Sequence, residues 1–173
     1  TDREVVAEVA GNGYAQPLGT AFPDTVGYDS DKVTGQSYDP DKAAELLKEA
    51  GYEDTDGNGF VEKDGQELVI TISLSSSSST AVSEALQDLW QTAGVHTEML
   101  ENVKDKRDSG DFDVTFDGWQ TVNAGDGQYY LASRWQTGGT DNYGKYSSEE
   151  FDAVMKKLDE AFDQEERVEA FVE

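Results

Sequence analysis

Cysteine is absent from the 173-residue chain, and histidine occurs once, as His96. The chain therefore has no disulfide bond, no thiolate metal ligand and no cysteine nucleophile. A lone histidine in a segment predicted to be a β-strand is more often structural or exposed than a ligand, and we predict such a role for His96.

Basic residues are also scarce, because 13 Lys and Arg face 37 Asp and Glu and leave a formal net charge of -24. Such a surface repels phosphate groups. Nucleic acid is therefore excluded as a partner, and binding of the domain itself to an anionic membrane is disfavoured. The acidic residues are spread along the whole chain, which favours adaptation to high salt over a local acidic binding patch. We therefore predict a halophilic, acidic protein.

Long hydrophobic runs are missing as well. No stretch approaches the roughly 18 apolar residues of a membrane span, and the first residues lack the pattern of a signal peptide. If the protein is exported, its targeting segment is expected outside this chain. Hydrophobic residues still make up 36% of the sequence, which predicts a folded core rather than general disorder.

Two strands and the helix between them indicate the fold class. ELVITISL at 67–74 and VHTEML at 95–100 have the β-branched composition of strands. The segment between them, TAVSEALQDLWQTAG, places apolar residues on one helical face. A strand, a helix and a strand with short connections imply two parallel strands. With a third strand at 112–116, the sequence predicts an α/β domain whose small mixed sheet is flanked by helices.

Helix ends carry local signals. In YDPDKAAELLKEAGY, Asp39 is a predicted N-cap, Pro40 the first helical residue and Gly51 the stop. In SSEEFDAVMKKLDEAF, Ser147 and Glu150 predict a capping box. The predicted buried stripe of that helix is Phe151, Val154, Met155, Leu158 and Phe162. QEERVEAFVE predicts one further helix.

Seven segments in this order resemble the C-terminal lobe of family 5 solute-binding proteins, the dipeptide, oligopeptide and nickel-binding group. They are TDREVVAEV with GNGYAQPLGTAFP, YDPDKAAELLKEAGY, DTDGNGFVEKDGQELVITISL, LWQTAGV, RDSGDFDVTFDGW, YSSEEFDAVMKKLDEA and QEERVEAF. The resemblance covers nearly the whole chain. Each motif is weak alone, but their common order and spacing are specific.

The resemblance implies a lobe of the periplasmic-binding-protein-like type II fold. Residues 1–173 are expected to form a single domain, most of the second lobe of a longer protein from which this chain is cut. The family captures a solute between two lobes and delivers it to the permease subunits of an ABC importer. The implied location is extracytoplasmic, with membrane anchoring through a segment outside this chain.

The family also implies which loop contacts the solute. Trp119 matches the family's cleft tryptophan, which can stack on a ligand. Peptide-binding members place an aspartate three residues later, where this chain has Val122. The candidate ligand-binding residues, from this loop and from a later tyrosine, are Trp119, Gln120, Thr121, Val122, Asn123, Asp126, Tyr129 and Tyr143.

Val122 leaves the solute class open. An oligopeptide-like solute is the first expectation, but the missing carboxylate puts recognition of a free amino terminus in doubt. Gln120, Asn123, Tyr129 and Tyr143 offer neutral hydrogen bonds suited to a carbohydrate oligomer, which is the alternative. Nickel is not expected, because His96 lies outside the predicted cleft loop.

The loop DTDGNGFVE also resembles a calcium-binding loop. The candidate ligands are Asp54, Asp56, Asn58, the Phe60 carbonyl and Glu62. Gly65 stands where the bidentate glutamate of an EF-hand belongs, so the sequence favours a tight acidic turn over a calcium site. A calcium-binding structural module is nevertheless kept as an alternative function, and no other cofactor is predicted.

Catalysis is not predicted. Carboxylate pairs such as Asp111 and Asp113 are expected by chance among 37 acidic residues. The serine run at 75–79 has no nucleophile-elbow motif around it.

Overall fold

A computed structural model describes residues 1–11, 13–28, 32–33, 35–74, 80–100 and 103–173. They form two compact units, each built from two separate stretches of sequence. Unit 1 comprises Thr1–Pro17 and Ser37–Gly118, and unit 2 comprises Leu18–Gln36 and Trp119–Glu173. That residues 1–173 form one domain stays a prediction. The serine run at 75–79 lies outside the described residues.

The helices and strands follow one another in a mixed order. The helices are α1 (Arg3–Gly11), α2 (Pro40–Glu49), α3 (Thr80–Thr92), α4 (Val103–Ser109), α5 (Gln128–Arg134), α6 (Glu149–Glu160) and α7 (Gln164–Val172). The strands are β1 (Glu62–Lys63), β2 (Gln66–Glu67), β3 (Val69–Leu74), β4 (His96–Leu100) and β5 (Val114–Phe116). No helix in the described part of the chain combines the length and the apolar composition of a membrane span.

Unit 1 is organised around a parallel three-stranded sheet in the order β4-β3-β5. The central residue Ile72 pairs with Met99 on one side and Val114 on the other. β3, α3 and β4 form the predicted parallel unit. The α/β class is confirmed. Antiparallel pairing occurs separately, in the β1-β2 hairpin, so the two kinds of pairing do not share one sheet among the described strands.

The core of unit 1 lies where helices meet this sheet. Ile72 is fully buried, and Val82 and Leu86 from the predicted apolar face of α3 are nearly so. Ala7 of α1 is buried as well, and α1 packs against α3. α2 is less well covered: it has no buried residue, and its apolar side borders an open hollow of about 280 Å³.

Unit 2 has a helical core joined to an aromatic cluster. Met155 and Leu158 of α6 and Ala170 of α7 are buried together. Beside them, Phe22 makes edge contacts with three rings, which belong to Tyr28, Tyr130 and Phe171. Tyr28 stacks on Phe171 at 3.9 Å between ring centroids. Phe22 and Tyr28 thereby attach residues 18–28 to α5 and α7.

The structure corrects several predicted element boundaries. The N-cap of α6 is Ser148, whose hydroxyl accepts from the Phe151 amide, whereas Ser147 bonds to Thr137 instead. Phe162 is 94% exposed because α6 ends at Glu160, before the predicted stripe is complete. β5 begins at residue 114 rather than 112, and α4 and α5 were not predicted.

Candidate functional site

The predicted cleft segment begins directly after unit 1, at Trp119, and continues within unit 2. Its first feature is a tight turn in which Asn123 and Asp126 exchange two backbone hydrogen bonds of 2.9 and 3.0 Å. Ala124 and Gly125 both have positive φ, at 52° and 85°, which identifies a type I′ turn. This turn fixes the direction in which the chain enters α5.

The side chains of Gln120 and Asn123 form hydrogen bonds with backbone carbonyls of the same segment. The Gln120 amide donates to the Val122 carbonyl at 3.0 Å, and the Asn123 amide approaches the Gln120 carbonyl at 3.5 Å. Thr121 and Val122 are half-buried. The contribution of these four residues to solute binding therefore stays a prediction, and the contacts of Gln120 and Asn123 stabilise the turn.

Trp119 and Tyr143 are brought together through a residue that the sequence did not single out. The guanidinium of Arg134 lies 4.1 Å from the centroid of the Trp119 ring and 6.0 Å from that of Tyr143. Trp119 is 40% exposed, so it is not a core residue. Tyr129, by contrast, projects from α5 with 61% of its surface exposed. The structure thus places an aromatic, cation, aromatic group in unit 2.

The loop after α5 holds Tyr143 in place. The Asp141 amide donates to the Ser133 carbonyl at 2.9 Å, and the Tyr143 hydroxyl donates to the Asp141 carboxylate at 3.1 Å. Gly139 allows this close approach, because a Cβ there would lie 2.5 Å from the carbonyl oxygens of Ala132 and Ser133. The position of Tyr143 relative to Arg134 is therefore set by the backbone contact of Asp141 with Ser133 and by the side-chain hydrogen bond of Tyr143 to Asp141.

Asp126 has a partner inside unit 2. Its Oδ2 accepts from Arg167 Nη2 at 2.5 Å and Nε at 3.2 Å, and its Oδ1 accepts from the Gln128 amide at 2.7 Å. Arg167 also donates to the carbonyls of Leu158 and Ala161. Arg167 thereby links the turn, the end of α6 and α7. Both oxygens of Asp126 are engaged, so these contacts favour a structural role over solute binding.

Tyr28 supports the same turn from the other stretch of unit 2. Its hydroxyl accepts from the Gly127 amide at 2.9 Å and lies 3.4 Å from the Gly125 carbonyl. Burial raises the pKa of the Tyr28 phenol, and the Gly127 hydrogen bond partly opposes that rise. Phe22 packs so closely that a Cβ on Gly127 would come within 2.3 Å of its ring.

The candidate calcium ligands in unit 1 are only partly gathered. Oxygen atoms of Asp54, Asp56 and Glu62 lie within 4.8 Å of one another. The Asp54 carboxylate already accepts from the amides of Gly57 and Gly59, at 2.7 and 3.0 Å. Glu62 accepts from the Thr55 amide at 2.7 Å.

Asn58 and Phe60 take part in the same loop. The Asn58 side chain accepts from the Phe60 amide at 2.7 Å, while the Phe60 ring stacks on His96 at 4.9 Å between centroids. His96 Nδ1 also contacts the Glu67 carboxylate. These contacts match a tight acidic turn that packs on the sheet, with His96 in a structural position.

Arg134 and Arg167 are the residues that sequence reasoning missed. Both act through partners that are distant in the sequence, Trp119 for Arg134 and Asp126 for Arg167. The one local signal was the helix-compatible run QYYLASR between Gly127 and the glycines at 138 and 139, which predicts a short helix ending in arginine. That signal gives no partner for the side chain.

Comparison with known proteins extends this description. The chain is 25% identical, over 176 residues, to heme-binding protein A of Haemophilus influenzae, and the match covers 98% of this chain and 31% of that protein. The structure of NikZ from Campylobacter jejuni in complex with Ni(L-His) matches with a TM-score of 0.77 and 24% identity, over 99% of this chain and 36% of NikZ.

A third match is the mannohexaose-bound periplasmic oligopeptide-binding protein of Thermotoga maritima. It has a TM-score of 0.74 and 19% identity, over 99% of this chain and 36% of that chain. The chain therefore spans about a third of the length of these relatives, and the two structural matches establish a shared fold.

Family membership follows from the sequence match. Residues 1–142 match the model of bacterial extracellular solute-binding proteins, family 5 Middle. This is most of the chain, and it includes the turn at 123–126, α5 and Arg134. The fold, the order of the segments and this match lead to one conclusion: the chain belongs to the family 5 extracellular solute-binding proteins.

Proposed function

We propose that this chain is most of one lobe of a solute-binding protein that serves an ABC importer. The observation that carries the proposal is the family match over residues 1–142, together with a half-exposed tryptophan in the segment that follows β5. Coverage of about a third of each relative supports the assignment to one lobe. The expected partners are the other lobe of the full-length protein and the permease subunits, at an extracytoplasmic location.

We propose an oligopeptide-like solute, with a carbohydrate oligomer as the second candidate. The relatives are a heme-binding protein and two proteins whose structures contain Ni(L-His) or mannohexaose, so the family accommodates different solutes. Val122 provides no carboxylate for an amino terminus, and Asp126 is paired with Arg167. These two features support a solute that is not held by a salt bridge to its amine. A binding role also requires no catalytic group.

The proposal is tested with the full-length protein by calorimetry and tryptophan fluorescence. The probes are tetra-alanine, N-acetyl-tetra-alanine and mannohexaose. We expect Trp119→Ala to weaken binding several-fold or more, because stacking on an aromatic ring contributes roughly 1 kcal/mol beyond the buried area. Trp135→Phe is the matched control, since Trp135 is similarly exposed at 45% in the same unit.

The outcomes separate the candidates. Binding of the acetylated peptide as tightly as the free peptide supports an uncharged contact near Val122, and selective binding of mannohexaose favours the carbohydrate alternative. If only the free-amine peptide binds, the alignment of Val122 with the family aspartate is wrong. Equal losses in Trp119→Ala and Trp135→Phe would remove Trp119 from the site.

We further propose that the dispersed acidic charge is an adaptation to high salt. Like charges within about 10 Å repel one another at 0.1 M salt and are screened at molar salt. The thermal unfolding midpoint is expected to rise strongly between low salt and molar KCl. A flat or falling midpoint across that series contradicts the halophilic assignment.

A further inference from the structure

One face of the Trp119 ring is already occupied by the protein itself. The Arg134 guanidinium lies 4.1 Å from the ring centroid, well inside the roughly 6 Å range of a cation-π contact. An indole ring has two faces, and 40% of the Trp119 surface is still exposed. A solute that stacks on Trp119 must therefore use the remaining exposed part of the ring.

Arg134 is held in this position by its surroundings. It is the last residue of α5, and its side chain is half-buried. Tyr143 approaches the same guanidinium at 6.0 Å and is itself fixed through Asp141 and the Ser133 carbonyl. The guanidinium has little freedom to leave the ring, because both neighbours restrict it.

The fixed charge also affects what can bind on the exposed part of the ring. A cation is attracted to the negative face of an aromatic ring, but one bound cation reduces that attraction for a second. Two positive groups on opposite faces of one ring lie about 8 Å apart, which is about one screening length at physiological salt, so part of their repulsion remains. The exposed part of Trp119 is therefore less favourable for an ammonium group than for a neutral or anionic one.

We infer that Arg134 is a positioning residue that holds the Trp119 indole and sets the charge preference of its exposed face against cationic solute groups. The inference rests on the proposed function only in taking Trp119 as a solute-contacting residue. Under this inference, two separate causes disfavour a free ammonium group: the charge of Arg134 and the absence of a carboxylate at Val122.

The test of the fixed charge needs no solute. In the full-length protein, phenylalanine replaces every tryptophan except Trp119, which within this chain means Trp90→Phe and Trp135→Phe. The quenching of Trp119 by iodide and by caesium is measured at equal ionic strength. Arg134→Met, a neutral side chain of similar shape, is expected to lower the ratio of the iodide to the caesium quenching constant by about twofold or more. Arg134→Lys keeps the charge and should keep most of the ratio.

A second measurement covers the case in which the multiply substituted protein does not fold. This measurement uses ¹⁵N-labelled protein that carries no other substitution. The indole N–H signal of Trp119 is assigned as the signal that Trp119→Phe removes. Arg134→Met should shift this signal more than the indole N–H signals of Trp90 and Trp135. An unchanged quenching ratio, or an unmoved Trp119 signal, overturns the inference.

Solute selectivity completes the experiment. Arg134→Met is expected to shift the preference between tetra-alanine and its N-acetylated form several-fold toward the free amine, whereas a purely structural role would weaken both peptides equally. An unchanged preference overturns the charge assignment. If neither peptide nor mannohexaose binds to the wild-type protein, the proposed solute classes fail, and the quenching ratio still decides the role of Arg134.

Discussion

Unit 1 and unit 2 are stabilised by different kinds of contact. In unit 1, backbone pairing of β3 with β4 and β5 runs through the middle of the unit, and every described strand of the protein lies there. In unit 2, residues 18–28 are held to the helices by the rings of Phe22 and Tyr28 and by the hydroxyl of Tyr28. Arg167 then links the turn at Asp126 to α6 and α7.

This difference predicts how the two units respond to single substitutions. A sheet distributes its stabilisation over many backbone hydrogen bonds, and removal of one side-chain polar group leaves that ladder intact. A half-buried arginine that makes several hydrogen bonds concentrates stabilisation in one side chain. Unit 2 should therefore be the more sensitive unit to loss of a polar side chain.

Arg167→Met is expected to have the largest effect. It removes the partner of Asp126 and the donors to two carbonyls, in a side chain that is only 17% exposed. We expect a loss of about 2–4 kcal/mol in the free energy of unfolding, because the groups left behind remain partly buried. Hydrogen exchange read by mass spectrometry should accelerate in α6 and α7 and remain nearly unchanged in β3 and β4.

Lys157→Met is the matched control for that substitution. Lys157 pairs with Glu173 in the same unit, but its side chain is 56% exposed, so we expect a loss below about 1 kcal/mol. Equal destabilisation by both substitutions, or equal acceleration of exchange in both units, would contradict the proposed difference.

Tyr28→Phe should have an intermediate effect. The substitution preserves the stacking on Phe171 but leaves the buried Gly127 amide without its acceptor. We expect a loss of about 1–2 kcal/mol, measured by urea denaturation. Tyr38→Phe serves as the control, because Tyr38 is 47% exposed and lies in unit 1, and it should change stability by less than about 0.5 kcal/mol. A neutral result for Tyr28→Phe would show that the rings alone hold residues 18–28.

The smallest predicted effect concerns Asp113, the residue immediately before β5. Hydrogen bonds from the Thr71 hydroxyl and amide, at 2.6 and 2.8 Å, lower the pKa of Asp113 below its ordinary value near 3.8. A lowered pKa in the folded state adds stability above the unfolded pKa, and this stability is lost as pH falls through the folded value. Asp113→Asn should reduce the loss of stability that unit 1 shows as pH falls. At neutral pH the substitution should lower the free energy of unfolding by less than about 1 kcal/mol, because the group is exposed.

Asp152→Asn is the counterpart in unit 2. The Thr137 hydroxyl and amide lower the pKa of Asp152 in the same way. Exchange measured between about pH 2.5 and 7 should show each substitution flattening the acid response of its own unit. A change in both units from either substitution would mean that the acid response is not local.

The quality of the sequence predictions also differs between the two units. In unit 1, the strands at 67–74 and 95–100 and the helix between them are close to the observed β3, β4 and α3, because alternating and helical apolar patterns arise from local burial. In unit 2, the segment after Trp119 was predicted to be a loop, yet it contains α5. Its start depends on a type I′ turn that is braced by Tyr28, whose partner Gly127 is far away in the sequence.

The sequence by itself determined the α/β class, the capped helix at Pro40–Glu49 and the parallel strand pair, since each depends on residue types at short, regular spacings. It also determined the family, through the order of seven segments along the chain. Only the tertiary structure decided that Asp126 pairs with Arg167 and that the Arg134 guanidinium lies over the Trp119 ring. It also decided that Ser148, and not Ser147, caps α6. These outcomes depend on side chains that meet across many residues, or on two neighbouring serines that compete for different partners. Such contacts leave no periodic signal in the sequence, because geometry selects the partner only after the chain has folded.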